Sequence, residues 1–411
     1  MNELSFMEKL LDGVEVEWLP LGEVTQYEQP TKYLVKTKNY SDKFHTPVLT
    51  AGKTFILGYT NETNGIYKAS VNPVIIFDDF TTANKWVDFD FKAKSSAMKM
   101  ITSNNDSKFS IKYVYYWLST LPNELIDGDH KRQWISNYTN KMVPIPSPDN
   151  PKKSLEIQAE IVRILDAFTA MTTELTAELN LRKKQYNYYR DQLLSFEEGE
   201  VEWKTLGEMC LIGDGLHGTP IYDDNGDYFF INGNNLDNGR IIFTERTKKV
   251  NALMFEKHGI EFDVDKTVFL SINGTIGSVA FYGNENIVLG KSVAFFKIQS
   301  KALSLRYLFY FLQTDFSKNY FELNKTGSTI KNLGLKALRA FNIPVPPLSE
   351  QARIVTILDK FDDLTTSITE GLPREIELRQ KQYEYYRDLL LSFPKFPSSG
   401  GVPEGRGGPC A

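Results

Sequence analysis

Cysteine is nearly missing from this chain. Cys210 and Cys410 are the two present in 411 residues, far apart and without metal-ligand spacing. That excludes a disulfide framework and fits a reducing cytoplasm. Histidine is almost as scarce, and His45, His130, His217 and His258 form no ligand pair. No run approaches the roughly 18 to 20 uncharged apolar residues that a membrane helix needs. The first eleven residues carry Glu3, Glu8 and Lys9 among apolar ones, so they lack the charge order and apolar run of a signal peptide. Positive charge is not in excess either: the net is −5, unlike a free-standing nucleic-acid binder of the usual basic kind.

Catalytic motifs are lacking too. A methyltransferase needs a glycine-rich cofactor loop and an Asn/Asp-Pro-Pro-aromatic element; Asn72-Pro73-Val74-Ile75 has neither the second proline nor the aromatic. Gly52-Lys53-Thr54 and Gly290-Lys291-Ser292 echo the end of a phosphate loop, but neither has a glycine five residues earlier, so the cradle is incomplete. Asp90-Phe91-Lys92 with Asp78 or Asp79 upstream imitates a metal-dependent nuclease, yet so short a pattern reads better as a solvated strand end. The sequence offers no enzyme.

It offers a repeat. Val16-Glu17-Trp18 with Leu21-Gly22-Glu23 recurs as Val201-Glu202-Trp203 with Leu206-Gly207-Glu208, and Pro144-Ile145-Pro146 recurs as Pro344-Val345-Pro346. Gln158 to Phe168 matches Gln351 to Phe361, and Lys184 to Asp191 matches Lys381 to Asp388. Four matched blocks in one order do not arise by chance. Between them lie two variable blocks, 17–150 and 201–348, rich in Gly, Asn, Thr and aromatics, with almost no mutual similarity. Runs such as Val74 to Phe77 and Val268 to Ile272 read as strands. Residues 17–150 hold 15 basic and 14 acidic side chains and 202–348 hold 16 and 15; the rest hold 16 and 23. Two near-neutral modules are thus joined by acidic segments.

Those joining segments, 151–200 and 349–393, carry apolar residues at helical spacing. Ile157, Ile161, Ile164, Phe168, Met171, Leu175 and Leu179 form one stripe; Ile354, Ile357, Phe361, Leu364, Ile368, Leu372 and Ile376 form the other. Leu165 and Leu358 accompany them. Ser349 is the expected N-cap of the second helix, and Gly371 with Pro373 predicts a kink or break. Equivalent helices of a two-fold tandem repeat must lie antiparallel, so the pair would act as a ruler between the blocks. Thr172 to Leu175 is followed by the similar Thr176 to Leu179, a duplication of about 6 Å of helix. Residues 1–16, through Leu10-Leu11-Asp12-Gly13, echo Leu193 to Gly199 and would complete a circular repeat. The Pro/Gly/Ser-rich tail, 394–411, is expected to be disordered or a fusion remnant. The fold class is α+β: two mixed α/β blocks separated by an antiparallel coiled coil of two long helices.

This organisation resembles the specificity subunits of type I restriction–modification systems, nearest the IC-like class, over residues 1–393. The duplicated Trp-x-x-Leu-Gly-Glu openings, Ile-Pro or Val-Pro exits, Gln-Ala-x-Ile-Val-x-Ile-Leu-Asp helix starts and Tyr-x-Tyr-Tyr-Arg-Asp helix ends carry the resemblance. It implies that each variable block is a target-recognition domain reading half of a split site in double-stranded DNA. It implies too that the helices space the domains and dock two methyltransferase subunits, with restriction and translocase subunits joining later. No cofactor would bind this chain; S-adenosylmethionine, and ATP with magnesium for restriction, would serve the partners. Ile161, Leu165, Phe168, Leu175, Leu179, Ile354, Leu358, Phe361, Ile368 and Leu372 would form the spacer and docking seam.

Phosphates are met by Lys, Arg, Ser and Thr, and base edges by Arg, Lys, Asn and Gln. In the first block this selects Lys53, Lys85, Lys92, Lys94, Ser95, Lys99, Arg132 and Gln133. In the second it selects Asn232, Asn234, Asn235, Arg240, Asn273, Lys291, Lys325, Ser328 and Lys331. Each is also a residue type common in solvated loops and turns. A competing reading keeps the architecture but drops DNA: a coiled-coil scaffold whose unlike blocks bind two proteins. Steep salt dependence of sequence-selective DNA binding separates the two.

Overall fold

The computed structural model describes residues 13–52, 54–122, 132–197, 199–367 and 370–393. Lys53, His130, Ile368, the segment up to Asp12 and the tail after Phe393 lie outside the described residues. Five helices organise the chain: α1 (Ile111–Leu118), α2 (Pro151–Leu193), α3 (Leu305–Phe311), α4 (Leu348–Thr366) and α5 (Gly371–Leu391). The chain divides into two compact units, 1–173 with 378–411 and 174–377. Each unit therefore combines one variable block with part of α2 and part of the C-terminal helical segment. This division differs from the expected one, in which each helical segment stood apart as a piece of its own.

In the first unit, β1 (Val16–Pro20) pairs antiparallel with β9 (Met142–Pro146), so the two ends of the block close on one another. Between them lie β2 (Thr25–Glu28), β3 (Thr46–Leu49), β4 (Ile56–Thr60), β5 (Val74–Asp78), β6 (Asn84–Val87), β7 (Lys92–Ala93) and β8 (Met98–Ser103). They form a four-stranded sheet in the order β2-β8-β5-β6 and a three-stranded sheet in the order β4-β3-β7. Strand β5 is buried along its whole length, as its unbroken apolar run requires.

The second unit repeats this plan with other residues. β10 (Glu202–Thr205) pairs with β22 (Asn342–Val345), and Trp203 faces Pro344 as Trp18 faces Pro144. β11 (Cys210–Asp214), β16 (Thr267–Ser271), β17 (Val279–Phe281) and β19 (Val293–Ile298) form a sheet in the order β11-β19-β16-β17. β12 (Tyr228–Ile231), β15 (Lys249–Val250) and β18 (Ile287–Leu289) form one in the order β15-β12-β18. In both three-stranded sheets one neighbour of the central strand is antiparallel and the other parallel. Two small hairpins are additions: β13 (Leu236–Asp237) with β14 (Arg240–Ile241), and β20 (Lys325–Thr326) with β21 (Asn332–Leu333).

Helix α2 runs unbroken for 43 residues. Pro151 opens it, where a missing N–H costs nothing, and Asn150 Oδ1 accepts from the Lys153 amide at 3.1 Å. The C-terminal helical segment differs from expectation at its start, and breaks where Gly371 and Pro373 predict. Its first helix starts at Leu348 with Pro347 at the N-cap position, so Ser349 is already inside it and is not the cap. It stops at Thr366, and α5 restarts at Gly371. There φ is +75°, and a Cβ would stand 2.4 Å from the Asp363 carbonyl oxygen, so only glycine fits. Pro373 falls in the first turn of the new helix, where it is tolerated.

The helical stripes pack in antiparallel fashion. In the first unit the start of α2, through Ile157, Ile161 and Leu165, shares a core with Leu390, Leu391 and Phe393 from the chain's end. Phe168 stacks on Tyr386 with centroids 5.2 Å apart. In the second unit the end of α2, through Tyr186 and Leu194, shares a core with Ile354 and Leu358 at the start of α4, and Tyr189 stacks on Phe361 at 5.7 Å. Between these places burial lapses: Met171 is 39% exposed, and Leu175, Leu179 and Leu372 are half-buried. Each fully buried Leu or Ile contributes about 1.5–3 kcal/mol.

One further likeness joins the units, and it corrects the view that the variable blocks share almost nothing. Ser110-Ile111-Lys112-Tyr113-Val114-Tyr115-Tyr116 at α1 corresponds to Ser304-Leu305-Arg306-Tyr307-Leu308-Phe309-Tyr310 at α3. The fully buried Gln158 accepts from the Ser110 amide at 2.8 Å and donates to the Lys108 carbonyl at 3.0 Å. Gln351, likewise buried, accepts from the Ser304 amide at 2.8 Å and donates to the Ala302 carbonyl at 2.7 Å. Tyr113 and Tyr307 donate to the Pro144 and Pro344 carbonyls. Tyr116 donates to Asp166 and Tyr310 to Asp359, each at 2.5 Å. Lys112 and Arg306 pair with the same two carboxylates at 2.8 and 2.6 Å.

Candidate nucleic-acid interface

The second block gathers most of its expected residues on one rim of loops. Strand β12 delivers Asn232 and Asn234, β16 delivers Asn273, the turn between β18 and β19 delivers Lys291, and the β20–β21 hairpin delivers Ser328 and Lys331. Backbone bonds knit these loops together. Gly233 N–H donates to Ser292 Oγ at 2.9 Å, Ile272 N–H to the Ser292 carbonyl at 2.9 Å, and Leu333 N–H to the Ile272 carbonyl at 2.8 Å. Asn273 bridges Asn332, so the hairpin leans on the β16 loop. The rim is close-packed at Gly290, where a Cβ would stand 2.4 Å from Asn232 Oδ1. Asn234, Lys291, Ser328 and Lys331 are exposed on it.

Some of the selected residues turn out to build the rim instead of facing outward. Asn235 is buried, its amide donating to the Ile242 carbonyl at 3.0 Å and to Thr247 Oγ1 at 3.2 Å. Asn232 is half-buried and its carbonyl oxygen accepts from Ser292 Oγ at 3.1 Å. These two asparagines form the short turn from which Asn234 projects. Lys325 is paired with Glu322, and Arg240 stands exposed on the β13–β14 hairpin. The exposed His217, 2.8 Å from Asp214, lies just beyond Leu216, whose backbone bonds Leu289 and Lys291. Composition did not single His217 out, because only the β11–β18 approach brings it to this rim.

The first block is divided. Lys94 N–H donates to the Leu49 carbonyl at 2.9 Å, and its ammonium lies 5.9 Å from the centre of the Tyr40 ring. Lys94 and the exposed Ser95 thus join the loops at residues 40–52. Arg132 stands exposed next to Gln133, whose N–H bonds the Asp79 carbonyl at the β5–β6 turn, and Lys85 is exposed on edge strand β6.

Three residues of this block are corrected. Lys92 and Lys99 are each 1% exposed. Lys92 pairs with Glu62 at 3.1 Å and donates to the Asn64 carbonyl at 2.6 Å; Lys99 pairs with Asp79 at 3.5 Å and lies over the Tyr27 ring. They are held inside because β7 and β8 are buried on both faces and each lysine meets a carboxylate there, a point that a list of basic residues ignores. Gln133 is also buried, beside Trp134, whose N–H bonds Asp79 Oδ1 at 2.8 Å. None of the three is presented to a ligand here.

No group of three or more His, Cys, Asp or Glu able to hold a metal is found among the described residues. Cys210 is buried in the second core, which pushes its thiol up to about 12 and keeps it inert at neutral pH.

Residues 13–182 and 198–378 each match the type I restriction modification DNA specificity domain. The chain belongs to this family. It is 58% identical to the Type I restriction enzyme EcoR124I/EcoR124II specificity subunit of Escherichia coli, over 96% of this chain and 98% of that protein. It is 31% identical to the EcoprrI specificity subunit, also of Escherichia coli, over 90% and 93%. Among solved structures it resembles the type I restriction-modification S subunit from M. genitalium, with a TM-score of 0.56, 14% identity and coverage of 93% and 98%. A chain from work on complex assembly and conformational transition of the type I R-M system gives 0.51 at 18% identity, covering 92% and 97%. These likenesses show the fold. The specificity-domain matches make DNA target recognition the role of this specificity subunit. Among the described residues, no helix is long and apolar enough to cross a membrane.

Proposed function

We propose that this specificity subunit reads an asymmetric, bipartite site in double-stranded DNA, one half with each block. The supporting observation is the contrast within the duplication: the junction bonds to the helices repeat pair for pair, whereas the exposed loop residues of the two blocks differ. Equivalent mounting with unlike reading surfaces suits a split target whose halves differ. Lys291 and Lys331, with Lys94 and Lys85, would meet phosphates, while Asn234, Asn273 and Arg132 would reach base edges.

The chain itself catalyses nothing in this reading and binds no cofactor. Two methyltransferase subunits dock on the duplicated helical parts and bring S-adenosylmethionine; restriction and translocase subunits bring ATP and magnesium. The complex works in the cytoplasm. The acidic surplus of the helical segments favours basic partner faces, and the near-neutral blocks alone would hold DNA weakly.

Long-read mapping of methylated adenines in cells expressing this chain with its methyltransferase subunit tests the reading. A split motif with a fixed gap is expected. Deleting Thr176–Leu179 removes about 6 Å of α2, and should shorten that gap while leaving both half-sites unchanged. Absent methylation by an assembled complex would favour the protein-scaffold alternative.

A further inference from the structure

The two variable blocks fold alike on different sequences, so what they still share calls for a reason. The shared segment is the one that meets the helix. Helix α1 is held to α2 at both of its ends: Ser110 by Gln158, and Tyr116 with Lys112 by Asp166. Helix α3 is held to α4 in the same way: Ser304 by Gln351, and Tyr310 with Arg306 by Asp359. The glutamine and aspartate stand eight residues apart in each case, about 12 Å along the helix.

One fastening fixes a point, whereas two fix a direction. Apolar packing alone would not do this, because the hydrophobic effect is non-directional. Hydrogen bonds that involve a carboxylate are short and oriented, and partial burial protects these from solvent screening. Burial of the Tyr116 and Tyr310 rings, and then their bonds to the aspartates, raise both phenols well above their ordinary value, so they remain donors throughout the working pH range.

We propose that Tyr116–Asp166–Lys112 and Tyr310–Asp359–Arg306 are positioning residues for DNA recognition. They set the angle at which each recognition block stands on its helix, and so determine how strictly the gap between half-sites is enforced. None of the six belongs to the loop rims, so they act on spacing and not on base choice. This inference rests on the split-target reading above.

The test uses the full chain with its methyltransferase subunits, and compares Asp359→Asn, Tyr310→Phe, Asp166→Asn and Tyr116→Phe with the parent. Methylation rates are measured on DNA whose half-sites stand at the native gap or one base pair from it. A second readout needs no DNA. Spin labels are placed by Leu253→Cys and Lys360→Cys, both exposed within the second unit, in a Cys410→Ser background; buried Cys210 does not react. Pulsed electron resonance then gives the spread of the distance between block and helix.

Discrimination against the wrong gap should fall at least tenfold in each variant, with half-site bases unchanged. The label-distance distribution should at least double in width in Asp359→Asn and Tyr310→Phe. Gap discrimination within twofold of the parent, with an unaltered distribution, overturns the inference. So does a change in the bases methylated, which would make these residues readers, and so does an equal loss at every gap that merely follows a lowered Tm. A parent that shows no split motif would refute the split-target reading instead, while the label distances still decide whether the clusters fix the angle.

Discussion

The two recognition blocks have the same sheets in the same order but differ in the charge that their interiors hold. The first buries charge: Lys92 against Glu62, and Lys99 against Asp79, both lysines being 1% exposed. Both bury rings, but the second does so without buried charge: Phe262 lies edge-on to Phe269 at 4.9 Å and to Phe295 at 5.6 Å, and among the described residues no lysine or carboxylate of this block is buried. Among the matched places where the helices differ, the exposed Thr169 of the first unit corresponds to the half-buried Asp362 of the second. A common backbone plan thus tolerates either core, provided that each buried charge finds its partner. What does not vary is the fastening to the helix, because directional bonds cannot be exchanged for volume.

The largest break in this comparison should come from Asp79→Ala. It strands Lys99 in the interior and removes the acceptor for the Trp134 amide. A loss of about 3–5 kcal/mol is expected, the range for removing one partner of a buried pair. Denaturant unfolding followed by tryptophan fluorescence reads it well, since Trp18, Trp86, Trp117 and Trp134 lie in the first unit and only Trp203 in the second. A shift under 1 kcal/mol would mean that the pair does not hold the block together.

Next come Gln158→Ala and Gln351→Ala. Each leaves the amide of Ser110 or Ser304 without its acceptor, at a cost of about 1–3 kcal/mol. The comparison is sharpened if the two losses agree, and broken if one junction proves dispensable. A smaller effect concerns binding. Lys291→Ala and Lys94→Ala should each lower the slope of log affinity against log salt by about one. Lys92→Met should leave that slope alone, and a clear change there would return Lys92 to the interface.

The smallest effect is pH-dependent. Burial pushes the Asp362 carboxyl above its usual range, only partly offset by Thr366 and Arg306. A carboxyl whose folded pKa is raised costs stability as pH climbs from its unfolded value through the folded one. Asp362→Thr, which installs the first unit's residue, should therefore stabilise the second unit at pH 7, with a gain that shrinks toward pH 4. A gain that is flat with pH would assign the effect to packing.

Much of this was legible before any coordinates. The duplicated Trp-x-x-Leu-Gly-Glu and Gln-Ala-x-Ile-Val segments stood out because their roles, closing each block and fastening it to a helix, recur unchanged. The DNA-facing candidates were harder. Lys85 and Lys94 read the same as Lys92 and Lys99 in a list of basic residues, and only the buried partners Glu62 and Asp79 separate inside from outside. The Ser-x-Lys/Arg-Tyr-x-x-Tyr likeness was present in the sequence too, but it is short and sits within blocks that otherwise diverge.

The sequence by itself determined the repeat, the helical stripes, the strands Val74–Asp78 and Thr267–Ser271 and the family, because those depend on local periodicity and repeated words. Tertiary structure alone decided which lysines are buried and which loops meet in a rim. Those outcomes depend on contacts between residues distant in the chain, where a neighbour's carboxylate or carbonyl, not the residue's own type, decides whether a side chain turns toward solvent or away.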